Sequence, residues 1–137
     1  NSIKELDQKY QGILDIEDAE LAANSGADAL IVSNHGGRQL DGAASTVSML
    51  PSIAAAVGNK TEVWIDGGVR SGQDVLKALA LGAKGTMIGR PYLYGLGAYG
   101  ELGVTKALEI IEKELDLSMA LCGVTNIRNV NENILLL

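Results

Sequence analysis

The chain has 137 residues, of which 47% are apolar and 4% aromatic, and its formal net charge is −6. A chain of this length forms one domain or part of one, and its core must consist mainly of aliphatic side chains. The acidic balance argues against nucleic acid or an anionic membrane surface as a partner.

The first half of the chain predicts two helices around one clear strand. Residues 4–10 are polar and do not read as a strand, so we expect residues 1–11 to be irregular or to lack a strand. Asp15, with Asp18 three positions on, predicts the start of a helix that runs to about Asn24. The unalternating apolar run 29–32 (ALIV) is typical of a strand covered on both faces. A further helix is expected over about residues 48–57, with Pro51 in its first turn.

The second half repeats the pattern. Residues 62–65 (EVWI) and 84–88 (KGTMI) predict two more strands, and between them Ser71 and Asp74 predict a capped helix. A long amphipathic helix follows, ending at Gly123, and residues 124–137 form an Asn-rich tail. Apolar residues at spacings of three and four define the inward face expected for this helix: Val104, Leu108, Ile111, Leu115, Met119 and Cys122.

This alternation of strands and helices predicts an α/β fold with a parallel sheet. Too few strands are present for a complete doubly wound domain. We therefore expect residues 1–137 to form a single partial domain, the C-terminal half of a (β/α)8 TIM barrel, in which site residues lie in the loops after the strands. Because the first residue is Asn rather than Met, the chain is expected to be a piece of a longer protein.

The remaining bulk features predict a cytoplasmic location. No apolar stretch approaches the ~18 residues of a membrane span, and no signal peptide is visible. The single cysteine, Cys122, excludes a disulfide within the chain and is expected to be a small core residue.

Three of the four arginines follow predicted strands, inside glycine-rich turns. They are Arg38, Arg70 and Arg90, and His35 lies three residues before the first of them. Since the carboxyl ends of parallel strands meet at one edge of a sheet, we expect these four side chains to converge there. Arginine's planar fork matches phosphate and carboxylate groups, so this edge is predicted to bind anions.

Two of the turns have the composition of a phosphate and polyol site. Gly89 lets a backbone N–H approach a phosphate closely, while Arg90 supplies charge. Asp66 can accept hydrogen bonds from polyol hydroxyls, and Gly67 and Gly68 keep side chains out of the ligand's path. The alternatives are a plain strand-to-helix turn with a surface arginine and an ordinary Asp-Gly-Gly turn.

The third turn carries the only histidine. Arg38 can hold a carboxylate while His35 takes a proton from the adjacent carbon or its hydroxyl. A lone histidine is more often structural, but its place between a buried strand and two glycines favours a role in chemistry. Trp64 is expected to pack in the core. The tyrosines that follow Arg90 are expected to line the helix–barrel interface: Tyr92, Tyr94 and Tyr99.

At these residues the chain resembles the FMN-dependent 2-hydroxy acid oxidases and dehydrogenases, which include glycolate oxidase, lactate oxidase, mandelate dehydrogenase and flavocytochrome b2. The resemblance covers about residues 12–128. It rests on residues 33–43 (SNHGGRQLDGA), 65–83 (IDGGVRSGQDVLKALALGA), 88–96 (IGRPYLYGL) and 121–127 (LCGVTNI). The first segment is highly specific, whereas other FMN barrels share versions of the second and third.

The resemblance implies FMN as cofactor, no metal, and oxidation of a small (S)-2-hydroxy acid such as lactate or glycolate to the 2-keto acid. It implies that Ser33 contacts the flavin, that His35 accepts the substrate proton and that Arg38 binds the substrate carboxylate. The remaining implied contacts, to the ribityl chain and phosphate, come from Asp66, Gly67, Gly68, Val69, Arg70, Gly89 and Arg90.

Two departures from the family pattern stand out. The family has a lysine before the glycine corresponding to Gly12, where its charge supports the reduced flavin, and this chain has Gln11. A neutral amide there implies a less favoured reduction of the flavin. The family's N-terminal half is also absent from this sequence, so we expect the isolated chain to be largely inactive, and the intact protein to supply that half or two copies to pair, with a tetramer usual in the family.

Two alternatives stay open at this point. One is another FMN- or phosphate-binding TIM-barrel enzyme, such as those of the inosine monophosphate dehydrogenase or type 2 isopentenyl diphosphate isomerase groups, although the pairing of His35 with Arg38 argues against it. The other is a non-catalytic truncated fragment, which Gln11 favours. The substrate's side chain and the electron acceptor are not determined by these residues.

Overall fold

Parallel strands joined by helices make up the computed structural model, which describes residues 8–136. The strands are β1 (Lys9–Ile13), β2 (Ala29–Val32), β3 (Glu62–Ile65) and β4 (Gly85–Thr86), paired in sequence order and all parallel. The helices are α1 (Ile16–Asn24), α2 (Thr46–Val57), α3 (Gly72–Ala80) and α4 (Arg90–Leu121), so a helix follows each strand. This is the expected repeating β–α pattern of a partial α/β barrel.

The expectation that residues 1–11 lack a strand was wrong for the described part of that region. Residues 9–13 form β1, which pairs with β2 from Lys9 opposite Ala29 to Ile13 opposite Val32. The register shifts between Gln11 and Ile13. Backbone pairing with a fully buried neighbour forms this strand despite its polar side chains, because the ladder requires only N–H and C=O groups. Residues 1–7 lie outside the described part.

The core lies between the sheet and helices α1–α3. Leu30 and Val32 of β2 are fully buried, and Val63 and Ile65 of β3 lie beside them on the same face because successive strand residues alternate. The helices contribute further buried aliphatic residues to this cluster, namely Ala19, Leu50, Ile53, Val57 and Ala78. The opposite face carries Trp64, which is half-buried and whose indole N–H donates to Glu62 Oε2 at 3.1 Å. Trp64 is therefore not part of the core.

Local capping sets where the helices begin. The Asp15 side chain accepts from the Glu17 N–H, so α1 is capped by Asp15 without the box partner expected at Asp18. At α3 the predicted capping box is confirmed, with Ser71 and Asp74 satisfying each other's backbone N–H groups. Helix α2 begins at Thr46, two residues earlier than the expected start.

Helix α4 is two helical segments with a break at Tyr99 and Gly100, where the backbone leaves helical geometry. Its second segment packs on α3 along a half-buried stripe that includes Val104, Ile111, Leu115 and Met119, in agreement with the predicted face. Two members of that face are exposed instead, namely Leu108 and Cys122. Cys122 directly follows the last residue of α4 and is exposed, so the expectation of a buried cysteine was wrong.

The tyrosines of the first segment of α4 do not pack at a helix–barrel interface, contrary to expectation. Their exposed fractions are 37%, 72% and 78% for Tyr92, Tyr94 and Tyr99. This segment follows β4, the last strand in the sheet order, so the described chain offers no further strand for it to cover. The tail forms two short 3-10 turns, Ile127–Asn129 and Glu132–Ile134. Within residues 8–136, no helix has the length and apolar character needed to cross a membrane.

Candidate functional site

A cavity of about 660 Å³ opens at the carboxyl edge of the sheet. The loops after β2, β3 and β4 line it, together with Gln11 of β1. The volume falls within the roughly 300–1,000 Å³ typical of small-molecule sites. The structure brings together here the predicted residues His35, Arg38, Asp66, Gly67, Gly68, Val69, Arg70, Gly89 and Arg90.

His35 sits in a strained turn against β1. Its φ of 54° is the only positive value at a non-glycine residue in the described chain. The Ser33 hydroxyl accepts from the His35 N–H at 3.0 Å, which holds the turn. The imidazole lies over Gly12, where a Cβ would come within 2.8 Å of His35 Nε2. A residue larger than glycine at position 12 would therefore displace the ring.

The arginines of the cavity keep their charge available for a ligand. Within residues 8–136 the single salt bridge is Lys106–Glu109, which lies on α4 away from the cavity. Arg38 and Arg90 approach each other across Gly36, since a Cβ built there would lie 3.9 Å from Arg38 Cδ and 3.7 Å from Arg90 Nη2. Side chains of two loops thus bring arginine charge to the same part of the cavity, which favours binding of an anion.

The start of α4 adds backbone donors to this cationic edge. Gly89 is the N-cap of the helix and supplies no side-chain cap. Uncapped first-turn N–H groups and the helix dipole favour an anion, as they do at known phosphate sites. Arg90 is the first residue of the helix, so its guanidinium charge adds to the charge of the helix end.

Asp66 is the acidic group of the cavity. One of its oxygens, Oδ2, accepts from Gln11 Nε2 at 2.7 Å. The other, Oδ1, is buried and has no hydrogen-bond partner among the described residues. Because buried acceptors are almost always paired, this oxygen is suited to a hydroxyl donor from a ligand.

These residues fit the FMN that the resemblance implies. Asp66 Oδ1 offers an acceptor for a ribityl hydroxyl, and Arg70, Arg90 and the start of α4 offer donors and charge for a phosphate. At Gly68 and Gly89 a Cβ would meet no atom within 4 Å, so open space adjoins the backbone of both loops. The cavity therefore has the hydrogen-bonding groups, the positive charge and the space that a phosphorylated polyol needs.

One predicted site residue is not at the cavity wall. Ser33 is 1% exposed, and its hydroxyl supports the His35 turn from below. Two contributors were missed by sequence reasoning, namely Thr46 and Asn34, which contact the Gly67 turn from outside the cavity. The signal for Thr46 was its place at the start of α2, directly after the loop that carries the histidine.

Comparison with known proteins gives concordant matches. Residues 8–137 match the family model described as FMN-dependent dehydrogenase. The chain is 57% identical to an L-lactate dehydrogenase of Caulobacter vibrioides over 91% of its own length and 33% of that protein. It is 50% identical to 2-hydroxyacid oxidase 2 of Homo sapiens over 97% of its length and 38% of that protein.

Solved structures agree with the fold. A mandelate oxidase variant bound to (S)-mandelic acid superposes with a TM-score of 0.88 at 47% identity, over 90% of this chain and 37% of that one. A mandelate oxidase variant with a monooxide FMN adduct gives a TM-score of 0.87 over 90% of this chain and 40% of that one. The chain thus spans 33% to 40% of the length of these relatives. Its superposition on mandelate oxidase shows that it is part of an α/β barrel. It belongs to the FMN-dependent dehydrogenase family, a family of FMN-dependent oxidoreductases.

Proposed function

We propose that this chain forms the half of an FMN-dependent enzyme that oxidises a small (S)-2-hydroxy acid to the 2-keto acid. The observation that carries the proposal is that His35, Arg38, Arg70 and Arg90 all line the same cavity. Family membership favours this function over the other phosphate-binding barrels considered above. Relatives described as L-lactate dehydrogenase, 2-hydroxyacid oxidase and mandelate oxidase support a hydroxy acid as the substrate class.

The residues divide into a cofactor group and a substrate group. Asp66 would accept from the ribityl chain, and Arg70, Gly89 and Arg90 would hold the phosphate. Gly67, Gly68 and Val69 would complete the cofactor contacts through their backbone, and Ser33 would contribute from beneath His35. When bound, FMN supplies a two-electron acceptor.

The substrate group performs binding and proton transfer. Arg38 would hold the carboxylate through paired N–H donors, which fixes the α-carbon beside the imidazole. His35 would take the proton released as the alcohol becomes a ketone, because neutral imidazole is a base near neutral pH. The strained φ of His35 supports this role, since backbone strain of this kind clusters at active sites.

Cofactor binding is tested by titrating the protein with FMN and with riboflavin, which lacks the phosphate. We expect FMN to bind more tightly, and Arg90→Ala to weaken FMN by about tenfold or more while changing riboflavin little. Arg128→Ala is the matched control, because Arg128 is an exposed arginine in the tail. Equal affinity for both ligands in the unsubstituted chain would overturn the phosphate assignment.

Turnover is tested by anaerobic bleaching of the flavin absorption band with (S)-lactate, glycolate and mandelate. We expect little or no bleaching by this chain alone and full bleaching once the remaining strands of the barrel are supplied. In the completed barrel, His35→Gln is expected to slow bleaching by about 10²-fold or more. Undiminished bleaching in that variant would contradict the role of His35. If the completed, unsubstituted barrel is bleached by none of the three hydroxy acids, the substrate class is wrong.

A further inference from the structure

Two neighbouring loops line the cavity, and contacts behind them that the proposed chemistry does not use link one loop to the other. We call residues 33–45 the β2 loop and residues 66–71 the β3 loop. The β2 loop carries His35 and Arg38, and the β3 loop carries Asp66 and Arg70. Each loop is exposed toward the cavity, so its position depends on what supports it from behind.

Thr46 supports the β3 loop from behind the cavity. It is the first residue of α2 and only 2% exposed. Its hydroxyl donates to the Gly67 carbonyl at 3.0 Å. A Cβ built on Gly67 would lie 3.3 Å from both Oγ1 and Cγ2 of Thr46, so the threonine side chain packs directly against this turn. A buried hydroxyl needs a partner, which fixes the distance between α2 and the β3 loop.

Asn34 caps the turn that carries His35. Its Oδ1 accepts from the Gly36 N–H at 3.1 Å, and its Nδ2 donates to the Ala44 carbonyl at 3.3 Å. The same Oδ1 lies 3.0 Å from the position of a Cβ on Gly67. One amide therefore closes the β2 loop on itself and abuts the β3 loop.

We propose that Thr46 and Asn34 are positioning residues that tie the β2 loop to the β3 loop, and so hold the substrate groups and the cofactor groups in one geometry. Gly67 is the shared contact point: it has a φ of 81° and no side chain, which lets both residues approach its backbone. The consequence for FMN rests on the proposed function, whereas the tie itself does not. The tie predicts that a substitution at either residue loosens both loops.

The tie is tested by amide hydrogen exchange of the protein without cofactor. In Thr46→Val, which keeps the shape of the side chain and removes its hydroxyl, we expect about tenfold faster exchange at Gly36 and Gly37 as well as at Gly67 and Gly68. Amides of α3 should exchange as before. Ser52→Ala is the matched control, since Ser52 is an exposed serine on the same helix. Faster exchange confined to the β3 loop would overturn the proposal.

Two further variants complete this test, one at Asn34 and one that keeps the hydroxyl at position 46. Asn34→Ala should accelerate exchange in both loops in the same way, and it decides the matter if Thr46→Val fails to fold. Thr46→Ser retains the hydroxyl and should exchange like the unsubstituted protein. A serine variant that behaves like valine would show that packing, and not the hydrogen bond, holds the turn, and would contradict the tie as described.

The effect of the tie on the candidate site is measured as the affinity of the protein for FMN. We expect Thr46→Val to weaken FMN binding by about fivefold or more, with recovery in Thr46→Ser. Unchanged affinity in Thr46→Val would contradict a positioning role. If the unsubstituted protein binds no FMN, the proposed function fails, and the exchange measurements still decide whether the two loops are tied.

Discussion

At the scale of single residues, the cavity concentrates positive charge in a chain whose net charge is −6. Three arginines and one carboxylate, Asp66, line this cavity, and the carboxylate accepts a hydrogen bond from a neutral amide, Gln11. A lysine at position 11 would instead form an ion pair with Asp66. The residue that differs from the family pattern therefore adds no charge to the cavity and donates to one oxygen of Asp66.

Replacing Gln11 by Lys tests this residue. An added cation beside the bound flavin favours its reduced, more negative form, so we expect the reduction potential to rise by about 30 mV or more, equivalent to about 1.4 kcal/mol for two electrons. The potential is measured by equilibration with a reference dye. Gln8→Lys adds the same charge at an exposed position just before β1 and should leave the potential unchanged. A lowered potential in Gln11→Lys would contradict this account.

At the scale of elements, the start of α3 fixes the end of the β3 loop. Asp74 Oδ2 accepts from the Arg70 N–H, the Ser71 N–H and the Ser71 hydroxyl, at 2.9–3.0 Å. The Gly72 N–H donates to Glu114 Oε2 of α4 at 2.9 Å. The backbone that carries Arg70 into the cavity is thus held by the helix cap.

Removing this cap should cost stability. We expect Asp74→Ala to lower the free energy of unfolding by about 1–2 kcal/mol, because three donors lose their acceptor and a carboxylate is lost from the helix N-terminus. Urea unfolding followed by circular dichroism measures the change. Asp116→Ala, at an exposed position of α4, is the control and should change the unfolding free energy by less than about 0.5 kcal/mol. Equal effects of the two substitutions would argue against the cap.

At the scale of the whole molecule, apolar surface is left uncovered. Strands β1 and β4 are the edges of the described sheet, with backbone groups available for pairing. Large apolar side chains of α4 are exposed, among them Leu93, Leu96, Leu102, Leu108, Leu117 and Leu121. A surface of this kind is typical of a face that another protein segment covers.

The chain should therefore not remain an isolated monomer. We expect further strands to pair with β1 and β4, supplied by more of the same protein or by a second copy, and a tetramer when the barrel is complete. Sedimentation velocity of the 137-residue chain should show dimers or larger species that give way to a defined oligomer when the rest of the barrel is added. A stable, monodisperse monomer that binds no hydrophobic dye would refute this prediction.

Local signals in the sequence determined the elements. The apolar runs at 29–32 and 62–65 became β2 and β3 with the predicted bounds, and the pair Ser71 and Asp74 became a capping box. These succeed because hydrophobic runs and caps act over a few residues. The pattern also fixed which turns follow strands, and hence that His35 and the arginines would meet at one edge.

Other features depended on partners distant in the chain. Strand β1 has a polar sequence and exists because β2 pairs with it, and Cys122, at the end of α4, is exposed although the apolar spacing predicts it on the inward face. Thr46 and Asn34 approach Gly67 from 21 and 33 positions away in the chain, so no local pattern predicts the contact. The sequence by itself determined that His35 and three arginines reach the cavity, whereas the tertiary structure decided what holds them and left Ser33 beneath the wall, because hydrogen bonds and close contacts between separate loops form only once the chain has folded.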